Sequence, residues 1–429
     1  MSTKKIGFWS STSLVVGNMI GSGVFLLPAS LAAYGAISIV GWICSSLGAI
    51  ALAIIFGNLG KLAPHTTGGP YAYTRLGLGR LPAYLVAWGY WISIWCTNAA
   101  IAVALVGYLE VFFPVLGQNQ LLAVVTGLGF IWLFTWINSK PIKTVAFVQL
   151  VTTILKIVPI LLIAFIGIAY IKLDHFTPFN LSGETSFSAI TATTTLTLFA
   201  FLGMETATVP SASIKDAAST IKKATVFGTL ITIIVYIMSS VAIMGIVPPE
   251  VLVTSNAPFA DAAALFWGEA AKYIVAAGAV IATLGALNGW ILIQGQIPMA
   301  AAQDQLFPKI FAKVNQNRSP IIGIVVSSIL ASILMGLNYT KSLVDAFTFM
   351  MKLSTLSVLT PYILSTLSLL ILVKRKEGFI PLPKMILSVL SILFCTWVII
   401  GCGAETVLWG LVLLVIGIPF YAYLTKKSS

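Results

Sequence analysis

Charge is what this 429-residue chain has least of: 8% of its residues are Asp, Glu, Lys or Arg, against 59% hydrophobic ones. With 12 acids, 2 histidines and 4 cysteines, it is poor in groups that do acid–base, metal or thiol chemistry. His65 and His175 stand far apart in polar connections. Cys44, Cys96, Cys395 and Cys402 lie in or beside apolar runs without paired metal spacing. Metal sites need clustered ligands, so neither a metal nor another cofactor is expected. Buried cysteine acting as a small hydrophobe is the simpler role. No nucleophile–base set is visible, which argues against an enzyme. Rings of like charge that would line an ion channel are missing too.

What is present in excess is apolar length. A mean hydropathy of +1.01 excludes a soluble globule. A helix crossing a bilayer takes about 20 mostly apolar residues. Apolar runs between polar punctuation give twelve candidate spans, at 8–34, 37–60, 82–112, 121–138, 145–171, 187–212, 221–246, 271–299, 320–338, 343–373, 384–402 and 405–424. The fold class expected is therefore an all-α integral membrane protein with 12 transmembrane helices in a single domain, 1–429. The first run is too long for a signal-peptide core and lacks a clean cleavage context, so it reads as a retained span.

The net charge of +12 is explained by where the charge falls. With both termini cytoplasmic, the lysines and arginines gather at both chain ends and around 61–80, 140–143, 215–223, 309–318 and 374–384. Only Lys172, Lys272 and Lys341 fall on the opposite side, and Lys156 and Lys352 fall within spans. That asymmetry is the positive-inside rule. It reports orientation in a bacterial inner membrane, with lipid as the surrounding partner, and not binding to nucleic acid.

Two runs carry glycine interruptions. The first holds Asn18-Met19-Ile20-Gly21-Ser22-Gly23, followed by Pro28. Each interior glycine costs a helix about 1 kcal/mol relative to alanine, and in lipid a freed backbone group must find a partner other than water. Small-residue helix packing is one reading. The other is an unwound segment whose N–H groups grip an anionic group. The sixth run has a matching interruption, Phe199-Ala200-Phe201-Leu202-Gly203-Met204-Glu205-Thr206. Breaks at corresponding places in two five-helix halves point to an inverted repeat. The repeats would be 1–171 and 187–373, with helices 11 and 12 at 384–424 outside them. The pairing favours binding over packing.

Few residues in the spans carry charge or hydrogen-bonding power. Glu205 is the one acid placed inside a span, where a charge costs about 2.5–3.5 kcal/mol even on lenient scales. It pairs with a cation, holds a proton, or ties the broken helix to a neighbour. Lys156, three residues before Pro159, lies too deep to reach either surface easily. It suits a coupling group, a stand-in for a bound cation, or a fixed structural brace. Lys352 lies about 14 Å of helix rise from the outer end, so snorkelling outward is favoured over facing the interior. Tyr90, Trp91, Trp95, Phe199, Phe201, Trp290 and Tyr362 are aromatics able to gate a cavity or to pack.

Taken together, GNMIGSGVFLLPA at 17–29, GGPYAY at 68–73, the Tyr90, Trp91 and Asn98 pattern, GMETA at 203–207 and the GW…GQ…AAAQDQLFP stretch ending at Pro308 resemble the amino acid–polyamine–organocation family. More narrowly they resemble its bacterial arginine/agmatine antiporters, along nearly the whole chain. The resemblance implies a LeuT-like 5+5 inverted repeat, with broken helices 1 and 6 and substrate held at the midplane. It assigns Ile20, Gly21, Ser22 and Gly23 to the substrate carboxylate, and Asn18, Phe199 and Leu202 to the α-amino group. Asn98, Trp290 and Ser354 would face the side chain. Tyr90, Glu205 and Tyr362 would be gating positions, with Glu205 also the proton sensor. The implied activity is exchange of arginine for agmatine, exporting positive charge and supporting acid resistance, by a homodimer using helices 11 and 12. Three features depart from that pattern: Phe199 replaces a tryptophan lid, and Lys156 and Lys352 are additional cations. The alternative they raise is a proton-coupled amino-acid symporter of broader or neutral specificity that uses Lys156.

Overall fold

The computed structural model describes residues 7–64, 66, 68–140, 160–208 and 214–426. Fourteen helices matter here: α1 (Phe8–Met19), α2 (Ser22–Ala32), α3 (Ser38–Leu62), α4 (Pro70–Leu78), α5 (Arg80–Glu110), α6 (Gln120–Asn138) and α7 (Ser186–Leu198). They continue as α8 (Ala217–Ile246), α9 (Pro258–Trp267), α10 (Glu269–Gln303), α11 (Ile321–Leu337), α12 (Leu343–Glu377), α13 (Leu382–Gly401) and α14 (Ala404–Lys426). No β-strand occurs among the described residues.

By length and composition, nine helices among the described residues can cross a membrane, and the bent pair α1–α2 makes a tenth. Ile160–Tyr170 and α11 are shorter apolar helices. Pro320 before α11 and Asn338 after it confine that helix to 17 residues. The run 145–171 is described only from 160 onward. α8, α10 and α12 extend about four residues beyond their apolar runs at one end; in α12 the polar Lys374, Arg375 and Lys376 continue the helix and suit the negative end of its dipole.

The connections 61–80 and 247–270 are not plain loops. They contain α4 and α9, each with proline at its start, where the missing N–H is no loss and the fixed φ suits a first turn. That proline signal is legible in the sequence.

α5 forms the centre. Nearly all its side chains from Ala83 to Tyr108 are buried, with α12 and α10 packed along it. α13 and α14 lie outermost, and exposed Leu390, Leu393, Leu408 and Val415 give them an apolar outer surface suited to lipid. α7 is rich in threonine, and the Thr193, Thr195 and Thr197 hydroxyls each donate to the carbonyl four residues back, which satisfies them inside the bundle. Lys374, Arg375 and α4 share one end of the bundle, called the basic face below.

Candidate functional site

Both glycine interruptions are real breaks. α1 stops at Met19, Ile20 turns extended (φ −70, ψ 94), and α2 begins after Gly21 (φ −141, ψ −146). The half-helices meet at 40°. Tyr236 on α8 donates its hydroxyl to the Met19 carbonyl, so one acceptor released by the break has a protein partner. The first backbone N–H groups of α2 have no helical acceptor, as at any helix start. In the second break α7 passes into a 3-10 turn, Phe199–Phe201, then extended Leu202, then a second 3-10 turn, Met204–Thr208. Gly203 between them has φ +101.

The breaks face each other. A Cβ on Gly23 would lie 3.2 Å from the Phe199 ring. One on Gly203 would lie 3.3 Å from Asn18 Cβ and 3.4 Å from Trp290. Between them is a cavity of about 20 Å³, room for roughly one water. Asn18, Gly21, Gly23, Phe199, Leu202 and Trp290 line it, as do Thr97 and Ile101 of α5.

Aromatic groups stand on both sides of this level. Along α12, Phe347 meets Phe199 edge-on, with ring centroids 6.0 Å apart. Ser354 shares hydrogens with Ser93 (3.0 Å) and with Thr97 (2.7 Å), which marks the cavity's level. Tyr362 lies about 12 Å of helix rise farther toward the basic face. There Glu205, fully buried, accepts from Tyr90 at Oε1 (2.6 Å) and from Tyr362 at Oε2 (2.9 Å). The Tyr362 ring packs edge-on against Phe56. Residues distant in sequence thus form one carboxyl clamped by two phenols. Both carboxyl oxygens are engaged, so Glu205 sits beside the cavity and does not line it.

Other residues singled out from sequence lie one layer back. Asn98 donates to Gln294 Oε1 (2.7 Å), and Gln294 in turn donates to Ser328 (2.8 Å) and to the Ile324 carbonyl (3.1 Å). Asn98 therefore ties α5 to α10 and α11. Ser354 reaches the cavity through Thr97. Ile20 is buried at the break, and Ser22 is the first residue of α2. Lys156 lies outside the described residues. Lys352 is in the electrostatic range of Glu184 and Glu405 and beside Cys402, away from the cavity.

Tyr236, Gln294, Thr97 and Phe347 were not singled out from sequence. Gln294 has a signal in hindsight, as a polar side chain deep in an apolar run. The others look like ordinary membrane residues until the fold brings them to the breaks.

The cadaverine/lysine antiporter of Escherichia coli K12 is 32% identical over 432 residues, covering 98% of this chain and 95% of that one. The arginine/agmatine antiporter of Chlamydia pneumoniae is 31% identical over 451 residues, covering 100% and 92%. The arginine/ornithine antiporter of Pseudomonas aeruginosa is 29% identical over 441 residues, covering 98% and 91%. The amino acid permease family matches residues 6–423. With a family match across almost the whole sequence and antiporters similar end to end, this chain belongs to the amino acid permease family and is a transporter, not an enzyme.

Proposed function

We propose that the protein exchanges a cationic amino acid for a decarboxylated amine by alternating access, with arginine and agmatine as the leading pair. The observation that carries this reading is the pair of facing breaks around one cavity, with Phe199–Phe347 on one side and Tyr90–Glu205–Tyr362 on the other. The start of α2 supplies N–H groups for a carboxylate. Carbonyls at Asn18 and Leu202, with the second lone pair of the Phe199 carbonyl that accepts the Leu202 N–H, supply acceptors for an ammonium. Trp290 and Phe199 offer π faces to a guanidinium. The similar antiporters named above carry cationic substrates, and they support that charge for the side chain.

The proposed closed cavity widens toward one face at a time. Opening toward the basic face requires the Tyr90–Glu205–Tyr362 clamp to part. A proton on Glu205 obliges one phenol to stop donating, which loosens the clamp and couples access to pH. Trading singly charged arginine for doubly charged agmatine removes positive charge from the cell and supports survival in acid. In this reading the basic face is cytoplasmic, with both termini, by the positive-inside rule. The two breaks are the crossing of two inverted five-helix repeats, and α13 and α14 carry a homodimer contact.

Reconstitution in liposomes tests the exchange. Labelled arginine should enter only vesicles preloaded with agmatine or arginine, and saturably. Uptake into empty vesicles driven by a pH gradient alone would overturn exchange in favour of the Lys156-based symporter.

A further inference from the structure

Two of the sequence motifs, GGPYAY at 68–73 and the QDQLFP stretch at 303–308, take no part in the cavity between the breaks. The fold brings them together at the basic face. Arg75, on α4 just past the first motif, pairs with Asp304 of the second at 2.7 Å. The Tyr71 phenol lies within electrostatic reach of that carboxylate. Burial and the Asp304 charge push that phenol above its ordinary range. Between α4 and the end of α10 lies a cavity of about 750 Å³, lined by Tyr71, Arg75, Gln296, Gln303 and Asp304.

α4 is also anchored on its far side. Arg375 of α12 donates to the Leu76 carbonyl (2.8 Å) and to the Gly77 carbonyl (3.3 Å). Ser365, one turn from Tyr362, reaches the Pro70 carbonyl at 3.5 Å. The wide cavity therefore begins about one helical turn from the clamp on Glu205. α4 bridges it from α12 to α10, and its only ion pair to α10 among the described residues is Arg75–Asp304.

We infer that Arg75, Tyr71 and Asp304 are positioning residues of the transport cycle, which hold α4 across the vestibule on the basic face and release it when the path opens to that side. The inference rests on the transporter reading. The pair is suited to repeated opening. Its side chains are 41% and 36% exposed, so water competes for both charges and salt screens them. A contact of that kind adds little to folding, yet it biases two states separated by a small free energy.

The test reads access to the vestibule and needs no substrate, so it stands apart from the identity of the cargo. Gln296→Cys would be placed in the protein in nanodiscs and labelled with a membrane-impermeant maleimide. That variant is the parent for the rates below, and the unsubstituted chain serves as the blank, since three of its four cysteines are buried. Arg75→Gln or Asp304→Asn should raise the labelling rate by up to about fivefold, the upper end for a pair this exposed. Arg75→Lys should stay near the parent rate. The exchanged pair, Arg75→Asp with Asp304→Arg, should return to within about twofold of it. Raised ionic strength should speed labelling in the parent and leave Arg75→Gln unchanged. Unaltered rates in both neutralised variants, or an exchanged pair that labels as fast as they do, would overturn the inference. If labelling follows this pattern while arginine exchange is absent, the latch stands and the substrate assignment falls.

Discussion

At the residue scale, Gly203 and Glu205 show how two neighbouring positions do different work. Gly203 has φ +101 and lies against Asn18 and Trp290. Gly203→Ala should destabilise the protein by about 1–2 kcal/mol through backbone strain, read as a lower thermal unfolding midpoint. An unchanged midpoint would mean that the break relaxes. Glu205 accepts two phenol hydrogens. In the proposed coupling it gains a proton as pH falls, and one phenol turns. Glu205→Gln carries an amide donor at every pH, so its exchange rate should vary little with pH where the parent's varies. A retained profile would remove Glu205 from the proton role. Trp290→Ala should weaken arginine binding by roughly 2- to 30-fold, the range of a cation–π contact of about 0.5–2 kcal/mol, and alanine binding less. Equal losses would make Trp290 a packing residue. Glu205 was legible from the sequence as a lone acid in an apolar span. Tyr90 and Tyr362 were named beside it as gating positions only through the family resemblance, since they lie more than a hundred positions away on other helices and no local pattern pairs them with it.

At the element scale, the apolar runs marked most helices, because membrane-crossing length is a sequence property. Their close approach depends on side chains from elsewhere. Gly41 on α3 sits where a Cβ would overlap Thr193 of α7. Trp42 beside it donates to Ser240 of α8 at 2.9 Å. Lipid supplies little hydrophobic drive between helices, so such small-residue contacts and buried hydrogen bonds hold the bundle. Gly41→Val should cost about 1–3 kcal/mol by overpacking and lower the unfolding midpoint, with substrate preference unchanged. A shift in preference would place this crossing in the site. α4 and α9 show the converse. Their prolines announced helix starts, but short amphipathic segments in polar connections carry weak periodicity, and their value lies in what they contact.

At the scale of the whole molecule, charge placement and lipid-facing surface set how the chain sits in a membrane. Single cysteines at Asn315 or Gly378 should react with impermeant reagent only from the cytoplasmic side, and those at Lys172 or Tyr339 only from outside. The reverse pattern would overturn the orientation. The sequence by itself determined that the chain is an all-helical membrane protein with two broken helices, because hydropathy, glycine interruptions and motif order are local or additive along the chain. Tertiary structure alone decided that the breaks face one another around a small cavity. It also decided that Tyr90 and Tyr362 clamp Glu205, that Asn98 braces Gln294 one layer behind, and that Arg75 meets Asp304 across a vestibule. Each of these needs side chains from separate helices within hydrogen-bond reach, a distance set by how the helices pack.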